Sequence, residues 1–214
     1  MVFAGVVDAV FPAACAGCGR RGRPVCDACA RALAPAPGAP PPTFVDDWFA
    51  LYAYENVARE LVARIKYRNA RAILPFFADA IAEVATHRWR VDGVTWAPTT
   101  TARRRERGFD HAELLARAVA KRMRVPARRD LVRTTAEPQT GRPYATRHDA
   151  VSFRAVHSSP TVLLVDDVAT TGATLRAAAR ALRSAGAQRV VAATIARTPA
   201  PGAHLQARAY TPPR

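Results

Sequence analysis

The chain has 214 residues, half of them hydrophobic, which is enough for one full domain around a real core plus a small appendage. No apolar run approaches the roughly 20 residues that a membrane-spanning helix needs, so no membrane span is expected. The net charge is +15, and every basic residue except Lys66 and Lys121 is Arg; guanidinium pairs bidentately with phosphate, so partners are sought among polyanions, nucleic acid or polyphosphorylated small molecules, with a plain solvated basic surface as the bland alternative.

The first zone is 1–33. Its opening, "MVFAGVVDAVFPAACAGC", has the apolar look of a leader. No Lys or Arg precedes the apolar stretch, however, and Asp8 interrupts it. A short packing helix at 3–11 and a cytoplasmic location are therefore expected. All the cysteines of the chain follow: Cys15, Cys18, Cys26 and Cys29, spaced C-x2-C-x7-C-x2-C. Each C-x2-C knuckle turns backbone N–H groups toward thiolate sulfur, and four thiolates complete a tetrahedral Zn2+ site. A pair of disulfides is the rival, and it requires an oxidising compartment. Four Cys ligands leave no open coordination position, so the zinc would be structural.

Residues 34–43, "APAPGAPPPT", form a Pro-rich linker that stays extended. The pattern turns globular over 44–198. "DDWFALYAYEN" reads as strands or a hairpin, "NVARELVARIKYR" and "ILPFFADAIAEVATHRW" as helices, and "DGVTWAP" as a short strand closed by Pro98. "HAELLARAVAKRM" is an amphipathic helix and "DLVRTT" a strand. No periodic segment occurs in 135–152. "TVLLVDD" is a strand, 172–185 a helix and "QRVVAATIART" a strand; a Pro-rich irregular tail occupies 199–214. Strands alternating with helices predict an α/β domain with a mainly parallel sheet, and unalternating runs such as "VLLV" suit strands covered on both faces.

"VLLVDDVATTGAT" carries the chemistry. In an open parallel sheet, ligands bind beyond the carboxyl ends of the strands. Asp166 and Asp167 stand at such an end. The helix expected from Gly172 offers free N–H groups and a positive dipole end, and Thr170, Thr171 and Thr174 add hydroxyls, which together cradle a phosphate. Two carboxylates repel phosphate, but they suit vicinal hydroxyls or a cation. A ribose 5-phosphate satisfies both halves. Three other readings compete: a Walker B strand, which needs a G-x4-G-K-[ST] loop that neither lysine supplies; a receiver-domain acidic pocket, which lacks the Thr-Gly loop; and simple helix capping, which leaves the paired acids unexplained.

This stretch resembles the phosphoribosyl-pyrophosphate (PRPP) motif of type I phosphoribosyltransferases. The cysteine knuckles, "RELVARIKYRN", "RRRERGFDHAELLARAVA" and "PQTGRPYATR" extend the resemblance over nearly all of 1–198 to the ComF family of competence-related phosphoribosyltransferase-like proteins, GntX-like proteins included. The resemblance implies a type I phosphoribosyltransferase-like α/β fold, with a mainly parallel open sheet flanked by helices and a small N-terminal zinc-ribbon-like module. It implies that Asp166 and Asp167 hold the ribose hydroxyls and are the catalytic acids, and that Ala169, Thr170, Thr171, Gly172, Ala173 and Thr174 wrap the 5-phosphate. It implies Mg2+ carried with PRPP, an unknown phosphoribosyl acceptor, and possible partners in single-stranded DNA and a DNA-uptake helicase.

In this fold the pyrophosphate loop follows the strand "VTWAP". The candidates there are Thr100, Arg103, Arg104, Arg105 and Arg107, of which Arg104 and Arg107 would share a helix face. A lid is expected within 135–152, with Arg142 and Arg147 as phosphate contacts, and Lys66 and Tyr67 fall in the family's hood over the acceptor site. The chain departs from the family pattern at Asp110-His111, where Asn-Gln usually follows "RGF", and at Asp149. Asp110, His111 and Glu137 are the candidates for a general base, and none is compelling.

Overall fold

The computed structural model describes residues 14–68, 70–134 and 151–199. The expected helix at 3–11, the lid segment 135–150 with Glu137, Arg142, Arg147 and Asp149, and the tail 200–214 lie outside the described residues. Four parallel strands form the sheet in the order β1-β6-β5-β2: β1 (Asp47–Ala53), β2 (Gly93–Trp96), β5 (Thr161–Ala169) and β6 (Arg189–Arg197). A separate antiparallel ribbon pairs β3 (Leu131–Thr134) with β4 (Ser152–Ala155). "DDWFALYAYEN" is a single strand and not a hairpin, because β1 pairs in parallel with β6 and its chain then passes into a helix. The strand β4 has no counterpart in the sequence reading. At four residues it is too short for alternation to stand out.

The two faces of the sheet are packed by the period-two geometry of a strand. Leu163 and Val165 of β5 join one cluster, Val162 and Leu164 the other. On the first face lie α2 (Asn56–Arg68), α3 (Leu74–Arg88) and α5 (His111–Met123), which contribute Leu61, Phe77 and Leu115. On the second lies α6 (Ala173–Ser184), which contributes Leu175, Ala178 and Leu182. The short α1 (Asp27–Arg31) belongs to the cysteine module, and α4 (Thr101–Arg107) follows β2.

Neither the cysteine module nor the Pro-rich segment is a detached appendage. Cys15, Val25, Cys29 and Leu33 belong to the same buried cluster as the sheet and α2. Gly17 is required there, since a Cβ would lie 2.7 Å from Cys29 Sγ. The segment 34–43 runs along the open edge of β1: Ala53 N–H donates to Ala34 O at 2.9 Å, and Ala36 N–H to Leu51 O at 3.1 Å. Trp48 Nε1–H then donates to Ala39 O at 3.0 Å. An uncovered edge strand is a template for aggregation, and proline-bearing chain is a good cover because it presents few donors.

What positions the site is a mismatch between ladders. The β2–β5 pairing ends at Trp96↔Val165, whereas β5–β6 pairing continues to Ala169↔Arg197. The sheet therefore opens on one side of β5 at Asp166. The sequence reading ends this strand at the acids and begins the helix near Gly172. In the structure the strand carries both acids inside it and runs on to Ala169, and the helix starts at Ala173.

Candidate active site

Asp167 is buried within the gap. His111 Nε2, at the start of α5, donates to its Oδ2, and Lys66 Nζ, near the end of α2, meets the same oxygen at 3.1 Å. Asp166 is half-buried, and its Oδ1 accepts the Asp167 backbone N–H at 2.8 Å. Adjacent carboxylates in a low-dielectric setting do not ionise equally. Burial, and then the Asp167 charge, push the Asp166 carboxyl up to about 8. Burial acts against the Asp167 charge too, but the His111 hydrogen bond and the Lys66 charge outweigh it and hold that carboxyl at about 2. The paired acids thus have separate characters: Asp167 is a fixed anion tied to two helices, and Asp166 faces the open space.

That space is a cavity of about 290 Å³ walled by Asp166, Asp167, Thr99, Thr174 and a group of cations: Lys66, Arg103, Arg107 and Arg133. Arg103 and Arg107 are one helical turn apart on α4 and both line the cavity; Arg104 and Arg105 do not. Burial, and then the nearby Arg103 charge, lower the Arg133 guanidinium, while Asp166 acts in the opposite sense. Crowded, partly desolvated guanidinium groups favour a multiply charged anion between them. Thr100 serves the helix itself, its side chain accepting the Arg103 N–H at 3.2 Å as the N-cap of α4.

The Asp110-His111 departure has a structural account. Asp110 Oδ1 accepts the N–H groups of Ala112 and Glu113, capping α5, while Oδ2 accepts the Thr99 N–H at 2.9 Å. One carboxylate thus starts a helix and pins the loop after β2. His111 joins that helix start to Asp167, and its Nδ1 is buried with no hydrogen-bond partner among the described residues.

The loop after the acids is exposed at Thr170 and Thr171. Gly172 caps α6 in the left-handed region, at φ 71°, and Thr171 Oγ1 accepts the Ala173 N–H at 3.3 Å. A Cβ on Gly172 would sit 3.1 Å from Pro42 Cγ, so the edge strap packs directly against this loop. The structure brings together Asp166, Asp167, Thr174, Arg103 and Arg107 of the expected set, with Thr170, Thr171 and Gly172 adjacent in the same loop. Sequence reading missed Arg133 entirely and assigned Lys66 no partner. Arg133 belongs to β3, outside the main sheet, and no sequence spacing links it to the acids.

The four cysteines form a second centre. Their Sγ atoms all lie within 4.8 Å of one another, with Cys18 and Cys26 Sγ 3.6 Å apart, and all are free thiols. Sulfurs of a tetrahedral Zn2+ site, with bonds of about 2.3 Å, lie roughly 3.8 Å apart, so the set fits a metal ion of that kind. Gly17 and Cys26 N–H groups point at Cys15 Sγ at 3.4 and 3.3 Å. Burial pushes the Cys15 thiol up, but these backbone donors outweigh it and bring it to about 6. Burial and the neighbouring sulfurs push Cys29 up to about 12, a crowding of negative charge that a divalent cation relieves.

The fold is type I phosphoribosyltransferase-like: an open parallel sheet flanked by helices, with two adjacent acids and a Thr-Gly loop at the carboxyl end of a central strand. The phosphoribosyl transferase domain family matches residues 110–211, which include the acids and the loop. The chain is 28% identical over 143 residues to "Competence protein ComFC" of Bacillus subtilis (strain 168), a match covering 64% of this chain and 58% of that protein. These matches support a ComF-family phosphoribosyltransferase-like protein. Among solved structures, glutamine phosphoribosylpyrophosphate amidotransferase from B. subtilis is 20% identical with a TM-score of 0.42, over 59% of this chain and 26% of that one. Adenine phosphoribosyltransferase from Leishmania donovani is 16% identical with a TM-score of 0.38, over 74% of this chain and 75% of that one.

The unequal acids have a consequence for stability. Asp166 holds its proton more tightly folded than at its ordinary value of 3.8 in the unfolded chain. A raised carboxyl contributes stability at low pH and loses it as pH rises toward about 8. In ligand-free protein, Asp166→Asn should therefore raise the melting temperature, and should do so by several degrees more at pH 8 than at pH 5. Thermal melts at the two pH values check this; an equal shift at both contradicts it.

Proposed function

We propose that the protein binds PRPP and transfers its phosphoribosyl group to an acceptor with release of pyrophosphate. The observation that carries this reading is the cavity in which a carboxylate pair faces Arg103, Arg107 and Arg133, with the Thr-Gly loop continuing the same strand. Vicinal ribose hydroxyls donate to Asp166 and Asp167. The N–H groups at the start of α6, with Thr170, Thr171 and Thr174, receive the 5-phosphate. The three arginines receive the pyrophosphate. In the transfer, the bond from ribose C1 to the pyrophosphate oxygen breaks with its electron pair leaving on pyrophosphate, a bond from C1 to the acceptor forms, and the acceptor gives up a proton. The arginines are placed before the reaction to stabilise the charge that develops on the leaving group, which is usually the largest catalytic contribution.

Mg2+ suits the hard oxygens of PRPP and of Asp166 and Thr99, and when bound it neutralises pyrophosphate charge. The cysteine centre holds Zn2+ in a structural role, since all four positions are filled by protein. Among the described residues no helix is long and apolar enough to cross a membrane.

A second reading, a nucleic-acid role on the same fold, is favoured by one feature. A groove of about 880 Å³ runs between β4 and α6, lined by Arg154, Arg176 and Arg180 with the rings of Phe44 and Phe153 beside them. Cations along a groove with aromatic faces are what a single strand of DNA recognises. Together with the relative's name, this favours a role in natural competence, with single-stranded DNA as a partner.

Titration calorimetry with PRPP and Mg2+ should show binding that Asp166→Asn/Asp167→Asn and Arg133→Ala each weaken at least tenfold; no heat with the wild type sinks the transferase reading. Purified protein should retain one zinc per chain, and its removal by a strong chelator should expose thiols and unfold the N-terminal region, an outcome that metal analysis and thiol titration follow together. Binding to oligo(dT) should weaken steeply with salt, and Arg176→Ala/Arg180→Ala should lower the slope of log K against log salt by about 1.4, at roughly 0.7 per phosphate contact on a single strand. A flat salt dependence counts against the second reading.

A further inference from the structure

Arg133 differs from the other cations of the cavity in what carries it. Lys66, Arg103 and Arg107 stand on helices, whereas Arg133 stands on the two-stranded ribbon, separate from the main sheet. Its cross-strand partner is Phe153, and the guanidinium lies over that ring, 5.5 Å from its centroid. Arg133 therefore reaches the cavity only as the register and seat of the ribbon allow.

Three side chains close the base of that ribbon. Asp130 is buried just before β3; its N–H donates to Thr95 Oγ1 of β2 at 3.3 Å, and its backbone O accepts the Val156 N–H at 2.8 Å. His157 follows β4, and its Nδ1 lies 3.1 Å from Asp130 Oδ1. Arg128 Nη1 lies 3.1 Å from His157 Nε2, while the Arg128 backbone N–H donates to Val94 O of β2 at 3.0 Å. A guanidinium can only donate. His157 Nε2 must then accept from Arg128, and Nδ1 carries the hydrogen that goes to Asp130. Both nitrogens of a neutral imidazole are thus in use, and the ring ties the exit of the ribbon to its entry and, through that, to β2. None of the three residues lines the cavity. Arg133 is three residues along the extended strand from Asp130, about 10 Å away.

Resting on the transferase reading above, we propose that His157 is a positioning residue: by clasping Asp130 and Arg128 it seats the ribbon on β2 and sets Arg133 in the wall assigned to pyrophosphate. The charged groups that meet the imidazole are Asp130 and Arg128, both from the segment entering β3. Asp92, before β2, accepts the Thr161 N–H at 2.8 Å instead. Burial pushes the Asp130 carboxyl up, and the His157 contact and the Arg128 charge act against that. Imidazole changes charge between about pH 5 and 8. A proton on Nε2 leaves the Asp130 bond in place but sets one cation against another at Arg128. The clasp is therefore whole where the ring is neutral and loses Arg128 where it is charged, so ligand affinity falls as pH is lowered.

Titration calorimetry with PRPP and Mg2+ on the full chain tests this. His157→Ala should weaken binding roughly fivefold. In an Arg133→Ala background the same change should cost nothing further, because its effect passes through Arg133. His157→Gln should keep wild-type affinity, since its amide oxygen can accept from Arg128 while its N–H donates to Asp130. Between pH 8 and about pH 6 the wild type should lose more affinity than His157→Gln, the titration of PRPP itself being common to both. Unchanged binding in His157→Ala, equal losses in the Ala and Gln variants, the same pH dependence in wild type and His157→Gln, or a His157→Ala effect undiminished without Arg133 overturns this inference alone. A wild type that binds no PRPP removes the transferase reading and this inference with it.

Discussion

Two hydrogen-bonded ladders of unequal length share β5, and the site exists because of that inequality. On the β6 side, pairing holds through Ala169; on the β2 side it stops at Val165, where Ala97 N–H makes the last contact to Val165 O at 3.4 Å. Backbone groups beyond that point need other partners. Pro98 has no N–H to satisfy, and Thr99 N–H finds Asp110. Asp167 N–H finds Asp166. The sheet therefore ends in side-chain carboxylates on the side where it opens. The gap is polar and held open, and α4 starts across it.

Electrostatics then divides the labour between neighbours. Asp167 is buried yet ionised because a cation from α2 and an imidazole from α5 converge on one of its oxygens. Two helices are thereby pinned to the central strand at the depth of the site. Asp166 bears the cost of sitting next to that fixed charge, and it is the acid with no ion pair among the described residues. Around the pair, Arg103, Arg107 and Arg133 come from two further elements. On the proposed reading, a ligand carrying both hydroxyls and phosphate resolves the opposition, because the acids accept its hydroxyls and the cations its phosphate. Functional sites commonly trade stability for readiness in this way.

The N-terminal third of the chain buttresses the site from outside. The cysteine knuckles pack near Val57 at the start of α2, the helix that carries Lys66 and Tyr67 in its last turn. From there the proline strap covers β1, takes the Trp48 indole N–H, and arrives with Pro42 against Gly172. The cysteine cluster and the Thr-Gly loop, far apart in sequence, are thus joined by a continuous packed path.

Much of this was legible in residues alone. "VLLV" had to be a strand covered on both faces, since four consecutive apolar residues cannot all point one way. The helices at 56–68 and 111–123 follow from their periodicity, and the cysteine spacing brings the four sulfurs into one cluster. The motif "DDVATTGAT" places two acids beside a Thr-Gly loop at a strand end, because local chemistry suffices for that much. Tertiary structure alone decided which cations meet those acids. Lys66, Arg103, Arg107 and Arg133 lie on three elements separated by dozens of residues, in a chain with 32 basic residues to choose from. It also decided that Arg103 rather than Arg104 faces inward beside Arg107, that Asp110 is a cap, and that the two acids differ. Sequence carries the periodicity and valence of each element, but proximity across a sheet edge depends on where one ladder stops, and no local pattern encodes that.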